Sequence, residues 1–196
     1  MKYFLLIVCC STFYSCKLIY GLKKNVPLSQ EEIKETANRF KIINTYSIDS
    51  SYLLFLISIT NHQLAKNHFQ PLQALYYNKA GKSIASFLNC YAGGFPNLKW
   101  NKNSNLNTFP PYPIGTEDSI SLNTLLTGCK IQYRGNNLNN DYTIVIFWNK
   151  FMNRQTTVFQ NSIRKNISLA RNLSLNIIYI NNDNLFHSFI MSRKSD

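Results

Sequence analysis

Cysteine is the residue type in this chain with the widest chemical reach. Of five cysteines, Cys9, Cys10 and Cys16 crowd into the N-terminus, while Cys90 and Cys129 stand singly in the body of the chain. A thiolate can be a nucleophile, a metal ligand or half of a disulfide, and its surroundings decide which. Cys90 and Cys129 leave three readings open. Oxidised to each other outside the cytoplasm, they would close a loop worth about 4 kcal/mol in the chain-entropy model. Left reduced, they are two buried, apolar side chains. Placed beside a base, either could serve as a single redox thiol. Other reactive groups are sparse. His62 and His68 are six residues apart, which puts them on different faces of a helix and makes them poor joint ligands for a metal. Glu117-Asp118 reads as a helix-dipole cap more readily than as a general acid and base. There is no nucleophile elbow, phosphate loop or zincin spacing, and neither a metal site nor a cofactor is expected. The sequons Asn166-Ile167-Ser168 and Asn172-Leu173-Ser174 fall in an Asn-rich chain, where chance supplies them.

The N-terminus carries a more specific signal. Lys2 precedes the apolar run Tyr3-Phe4-Leu5-Leu6-Ile7-Val8-Cys9-Cys10, which is long enough for an export signal and far short of the roughly 20 residues that span a bilayer. Ser11-Thr12-Phe13-Tyr14-Ser15-Cys16 follows. This stretch resembles the lipobox of bacterial lipoproteins, in which a small residue, here Ser15, precedes the cysteine whose thiol receives diacylglycerol. Phe13 and Tyr14 depart from the family's usual Leu and Ala or Ser. The resemblance implies a signal segment over 1–15, lipid attachment at Cys16 and a tether over 16–27. It also implies an exported protein held at the cell membrane or outer membrane, facing the periplasm or cell exterior. Lys17, Lys23 and Lys24 would then lie near anionic headgroups. Two other readings stay open: ordinary secretion, for which no nearby cut has small residues at both −3 and −1, and an uncleaved anchor or chance apolar start.

The remaining residues, 28–196, read as one domain. Ser29-Gln30-Glu31-Glu32 is a capping box, and Leu28 with Ile33 a hydrophobic staple, so the spacing of Ile33, Ala37 and Phe40 predicts a helix to about residue 42. Asp49-Ser50-Ser51 caps an apolar run over 52–59 that could be a buried helix or a strand; a helix to about residue 66 is preferred. Residues 73–77 and 82–86 flank Asn78-Lys79-Ala80-Gly81 and predict a β-hairpin. From 91 to 117 the chain is irregular and holds Gly93-Gly94-Phe95-Pro96, Trp100 and Phe109-Pro110-Pro111-Tyr112-Pro113. Phe95, Trp100, Phe109 and Tyr112 form either a stacking surface for a ligand such as a sugar or, more commonly, pins that hold a loop to its core. Beyond a short helix over 119–126 and a polar turn over 136–140 lies the strongest β signal, Asp141-Tyr142-Thr143-Ile144-Val145-Ile146-Phe147-Trp148, apolar enough for a strand buried on both faces. A helical pattern over 156–172 and a second buried strand over 175–180 complete a βαβ unit with a parallel pair. A short helix over 184–191 closes the chain. The fold class is thus α/β, with α+β open.

Phe147-Trp148-Asn149-Lys150-Phe151 at the end of one strand and Asn181-Asn182-Asp183 at the end of the next resemble the membrane-linked thioredoxin-like (redoxin) family. In that family the first strand ends in Phe-Trp-x-x-Trp-Cys-x-x-Cys. The match spans about residues 119–183 and implies a thioredoxin-like βαβ unit in 118–196, preceded by helices and a hairpin in 28–90. The departures concern the chemistry: Met152 and Gln155 stand where the two cysteines would be, and thiol–disulfide exchange needs both an attacking and a resolving thiol. The family also places a cis-proline strand after the βαβ unit, yet no proline follows Pro113.

Charge bounds the partners. With 21 Lys+Arg against 9 Asp+Glu the net charge is +12, which suits an anionic membrane surface. Nucleic acid is not an expected partner, because the basic residues are scattered and no recognition module is legible. The sequence therefore predicts a non-catalytic envelope lipoprotein, bound to a membrane through its N-terminal lipid and to an unidentified protein or envelope ligand. Its rival is a redox protein of the thioredoxin-like class using Cys90 or Cys129.

Overall fold

Strand neighbours point to opposite faces, so a strand apolar at every position must be covered on both sides. That requirement organises the molecule. The computed structural model describes residues 21–59, 62–88, 100–101, 104–112, 120–132 and 140–193. Its elements are α1 (Gln30–Arg39), β1 (Thr45–Ser47), α2 (Ser50–Ile59), α3 (His62–His68), β2 (Gln73–Asn78), β3 (Ser83–Leu88), α4 (Leu122–Gly128), β4 (Tyr142–Trp148), α5 (Arg154–Ile167), β5 (Leu175–Asn181) and α6 (Asp183–Ser192). They build a five-stranded sheet in the order β1-β5-β4-β2-β3. β1, β5 and β4 run parallel, while β2 is antiparallel to both β4 and β3.

Side chains of β4 alternate between two cores. Ile144, Ile146 and Trp148 meet Ile33 and Ala37 of α1 and Phe159 and Ile163 of α5. Val145 and Phe147 meet Tyr52 and Leu56 of α2, Leu125 of α4 and Leu185 of α6. The result is three layers, helices on either side of one mixed sheet, and the α/β class predicted from the sequence. β4, α5 and β5 form the βαβ unit, with Tyr142 opposite Leu175 and Trp148 opposite Asn181. β2 and β3 form the hairpin, whose turn is organised by the Asn78 carboxamide oxygen accepting from Ala80 N and Lys82 N, both at 3.0 Å. The capping box at Ser29 is complete: Glu32 N donates to Ser29 Oγ at 3.2 Å and Ser29 N to Glu32 Oε2 at 2.9 Å.

Several expectations are adjusted. β1 was not legible, because Thr45-Tyr46-Ser47 has neither length nor apolar alternation; it is a strand by virtue of pairing with β5. The helix expected over 50–66 is α2 and α3, with residues 60–61 outside the described residues. Helix α5 stops at Ile167, and Asn172 takes a left-handed φ of 62° as the chain turns toward β5. The body also begins before residue 28. Leu22 packs against the α1/α5 core, and Lys23 N donates to Phe151 O at 2.8 Å. Leu28 is clamped by Asn184, which accepts from its N–H at 2.8 Å and donates to its carbonyl at 3.0 Å. Finally, the antiparallel neighbour of β4 is β2, which precedes the βαβ unit in the chain and is entered just after Pro71. The proline strand that the thioredoxin-like resemblance implies after the unit has no counterpart among the described residues, since β5 leads directly into α6.

Gly128, the last residue of α4, lies against α2 so closely that an added Cβ would stand 2.1 Å from Cε1 and 2.2 Å from Cδ1 of Phe55. Gly128→Ala would gain helix propensity but overpack a closed contact. A net loss of about 1–2 kcal/mol is expected from urea unfolding; an unchanged midpoint would show that Phe55 can turn aside freely.

Candidate functional site

In sheets with parallel strands, ligands bind beyond the carboxyl ends of the strands. In this chain the place to look is the end of β4 and β5, where Asn149 and Asn181-Asn182-Asp183 converge. The side chains there are polar, and Asn149, Asn181, Asn182, Thr156 and Asp183 are all buried. Asn149 Nδ2 donates to Pro71 O at 2.7 Å and to Asn182 Oδ1 at 3.1 Å, while Asn149 Oδ1 accepts from Met152 N at 2.9 Å. Asn182 Nδ2 donates to Pro71 O at 3.1 Å and to Gln70 O at 3.2 Å. Thr156 Oγ1 closes on Asn149 O at 2.7 Å. The Asp183 carboxylate accepts from Lys150 N at 2.8 Å, Phe151 N at 3.2 Å and Asn181 Nδ2 at 2.8 Å.

Burial pushes the Asp183 carboxyl above its ordinary pKa, opposed by the hydrogen bonds from Lys150, Asn181 and Phe151 and by the Lys150 charge. An acid with a raised pKa in a sheet crevice has the profile of a catalytic group. Geometry argues otherwise: Asp183 is 1% exposed and its oxygens are taken by the Lys150 and Phe151 amides of the β4–α5 connection and by the Asn181 side chain at the end of β5. These residues clasp the ends of β4 and β5 to the Pro71 turn and the start of α5. Met152 and Gln155, where two exchanging thiols would stand, are both buried; a thioether and an amide cannot form a thiolate.

Cys129 caps the C-terminus of α4 as a free, buried thiol. Burial pushes it far above its ordinary pKa, so it is protonated at neutral pH and a poor nucleophile. The hydroxyls of Tyr52 and Tyr77 share this environment, and each is raised by burial first and by Cys129 second. A cleft of about 330 Å³ runs between β1 and the end of α4, with Tyr46, Ser47, Asp49, Cys129 and Lys130 in its walls. Asp49 is committed to α2, accepting from Ser51 N at 2.8 Å, and those Ser51 hydrogen bonds hold its carboxyl below the ordinary range. Among the described residues no group of three or more His, Cys, Asp and Glu side chains is placed to hold a metal. His68 is buried and accepts from Ile120 N at 3.4 Å. Cys16, Cys90, Phe95, Glu117 and Asp118 lie outside the described residues.

The aromatic residues expected to act together do different things. Trp100 is buried against Phe159, ring centroids 4.3 Å apart. Phe109 packs edge-on to Tyr142 at 5.3 Å and to Tyr76 at 6.2 Å. Tyr112 is 62% exposed. Trp100 and Phe109 thus pin the loop, as aromatic anchors do, and Asn166 pins it from the helix side by donating to Leu106 O at 2.9 Å and Thr108 O at 2.7 Å. With its amide so engaged and buried, Asn166 is no glycosylation acceptor in the folded chain. The residues that sequence reasoning passed over are Asn149, Asn182 and Asp183 as a unit. Their only signal was a polar cluster at the ends of two apolar strands.

Fold and site together define a three-layer α/β protein in which the polar groups at the parallel strand ends are consumed in holding those ends. No family model, curated protein or solved structure matches the chain.

Proposed function

We propose that this chain is an exported, lipid-anchored protein of the cell envelope, with Cys16 as the acylated residue and a non-catalytic α/β body that works by binding or assembly. The observation that carries the non-catalytic part is the pair of buried side chains at the head of α5: Met152 and Gln155 occupy the positions where thiol–disulfide exchange requires two sulfurs. The buried, protonated Cys129 supports it further. Support for the anchor comes from Ser15-Cys16 behind a short apolar run. The thioredoxin-like resemblance contributes the βαβ frame to this reading and no activity.

Mass spectrometry of the N-terminal peptide from membrane-purified protein is expected to show diacylglycerol on Cys16. The same protein is expected not to reduce insulin, and Cys129 is expected to resist alkylation until the chain is unfolded. Insulin reduction that persists in a Cys90→Ala/Cys129→Ala variant would sink the non-catalytic reading; reduction lost in that variant would pass the function to a single redox thiol.

A further inference from the structure

Residues 21–28 lie across the carboxyl ends of β4 and β5 as a strap whose two ends are held differently. The Leu28 end is fixed. Its side chain is 6% exposed in the α1/α5 core, and the carboxamide of Asn184, in the first turn of α6, accepts from its N–H at 2.8 Å and donates to its carbonyl at 3.0 Å. The other end is latched more lightly. Gly21 meets the first turn of α5, where an added Cβ would stand 2.6 Å from the Arg154 Cβ. Leu22 is partly buried against the α1/α5 core, and Lys23 N donates to Phe151 O, just beyond β4, at 2.8 Å.

Between hinge and latch little holds the strap down. Lys24, Val26 and Pro27 are exposed, proline has no N–H to donate, and among the described residues no backbone hydrogen bond joins 24–27 to the body. Asn25 opposes closure. Its Nδ2 and Oδ1 are both sealed from solvent with no hydrogen-bond partner among the described residues, so the closed strap keeps an amide stripped of water and unpaired. Lifting the strap returns that amide to water. The lightly latched end is also the one that continues into residues 1–20, so whatever holds the N-terminus bears on the latch before the hinge.

We infer that residues 21–27 form a hinged strap that swings about Leu28 while the body stays folded. Closed, it occupies the end of β4. Open, it uncovers the Phe151 carbonyl and the core side chains that Leu22 covers, at the end of the sheet where α/β folds take ligands. The inference goes beyond the proposed function and holds whether or not Cys16 is acylated.

The test is amide hydrogen exchange read residue by residue by NMR on the full chain, at rising urea below the unfolding transition. The Lys23 amide is expected to exchange about a hundredfold faster, relative to its intrinsic rate, than Leu28 or Val145 of β4. Its urea dependence is expected to be shallow, because the opening exposes little surface, while Leu28 follows the steep dependence of β4. Asn25→Leu keeps the shape of the side chain and removes the unpaired amide, and is expected to slow Lys23 exchange about tenfold. Lys23 exchange with the slope of β4, or exchange that Asn25→Leu leaves unchanged or quickens, overturns the inference. A Leu22→Ser variant gives a second check: it is expected to quicken Lys23 about tenfold and to leave the steep slope of Leu28 in place. Leu28 opening with Lys23 at one shallow slope, in either chain, removes the hinge and overturns the inference as well.

Discussion

Asp183→Ala is expected to lower the unfolding free energy by about 3–5 kcal/mol at neutral pH, measured in urea. The carboxylate satisfies two backbone N–H groups, of Lys150 and Phe151, and the Asn181 amide. Its removal strands three donors in a site from which water is excluded, at about 1–3 kcal/mol each before relaxation. Against a total stability of about 5–15 kcal/mol, that is close to unfolding. Asp183→Asn keeps the shape and one oxygen and is expected to lose about half as much. The pair of variants also tests the sign of the pH dependence. Burial raises the folded-state pKa of Asp183 above 3.8, so the folded chain holds this proton more tightly than the unfolded chain. The contribution is therefore fully present below about pH 3.8 and is lost as pH rises through the raised value. The carboxamide of the Asp183→Asn variant has no such proton, so the stability advantage of the wild type over that variant is expected to shrink across that window. An advantage that grows with pH would mean that the ionised carboxylate is the better acceptor and that its hydrogen bonds outweigh burial.

Trp148→Ala is expected to cost about 3–5 kcal/mol as well, by a different route. Trp148 is fully buried, its ring meets Phe40 edge-on at 5.8 Å, and its Nε1 donates to Thr45 Oγ1 at 2.9 Å. Truncation leaves a cavity between α1 and the sheet and cuts the side-chain bond from β4 to β1. Because β5 is the one strand that pairs with β1 among the described residues, exchange of the 45–47 amides should quicken more than that of β2 or β4. A cycle of Trp148→Phe with Thr45→Val isolates the hydrogen bond, with a coupling of about 0.5–1.5 kcal/mol. A coupling near zero would make Trp148 important for its volume alone.

These two residues also show how far the sequence could be read. Trp148 closes an apolar run whose alternation required cover on both faces, and both cores are where that argument puts them. The hairpin, the capping box at Ser29 and the βαβ unit were local patterns and were legible for the same reason. Asp183 was legible only as part of Asn-Asn-Asp at a strand end. That it is sealed from solvent by the chain on either side of Asn149 depends on contacts 32 and 33 residues away in sequence, and no spacing rule contains them. The same holds for Trp100, which as a loop aromatic could have faced outward but is packed against Phe159.

The apolar N-terminal run ahead of Ser15-Cys16, the α/β class and the absence of a CxxC pair were legible in the sequence alone, because each depends on residues within a few positions of one another or on local patterning. Tertiary structure decided the rest. It made a strand of Thr45–Ser47 by offering the free edge of β5, and placed the hairpin beside β4 ahead of the βαβ unit. It turned the polar strand ends into a closed clasp and buried Cys129. The physical reason is the same in each case: pairing partners, burial and pKa belong to neighbours in space, and the chain brings those together only when both sides of the sheet are covered.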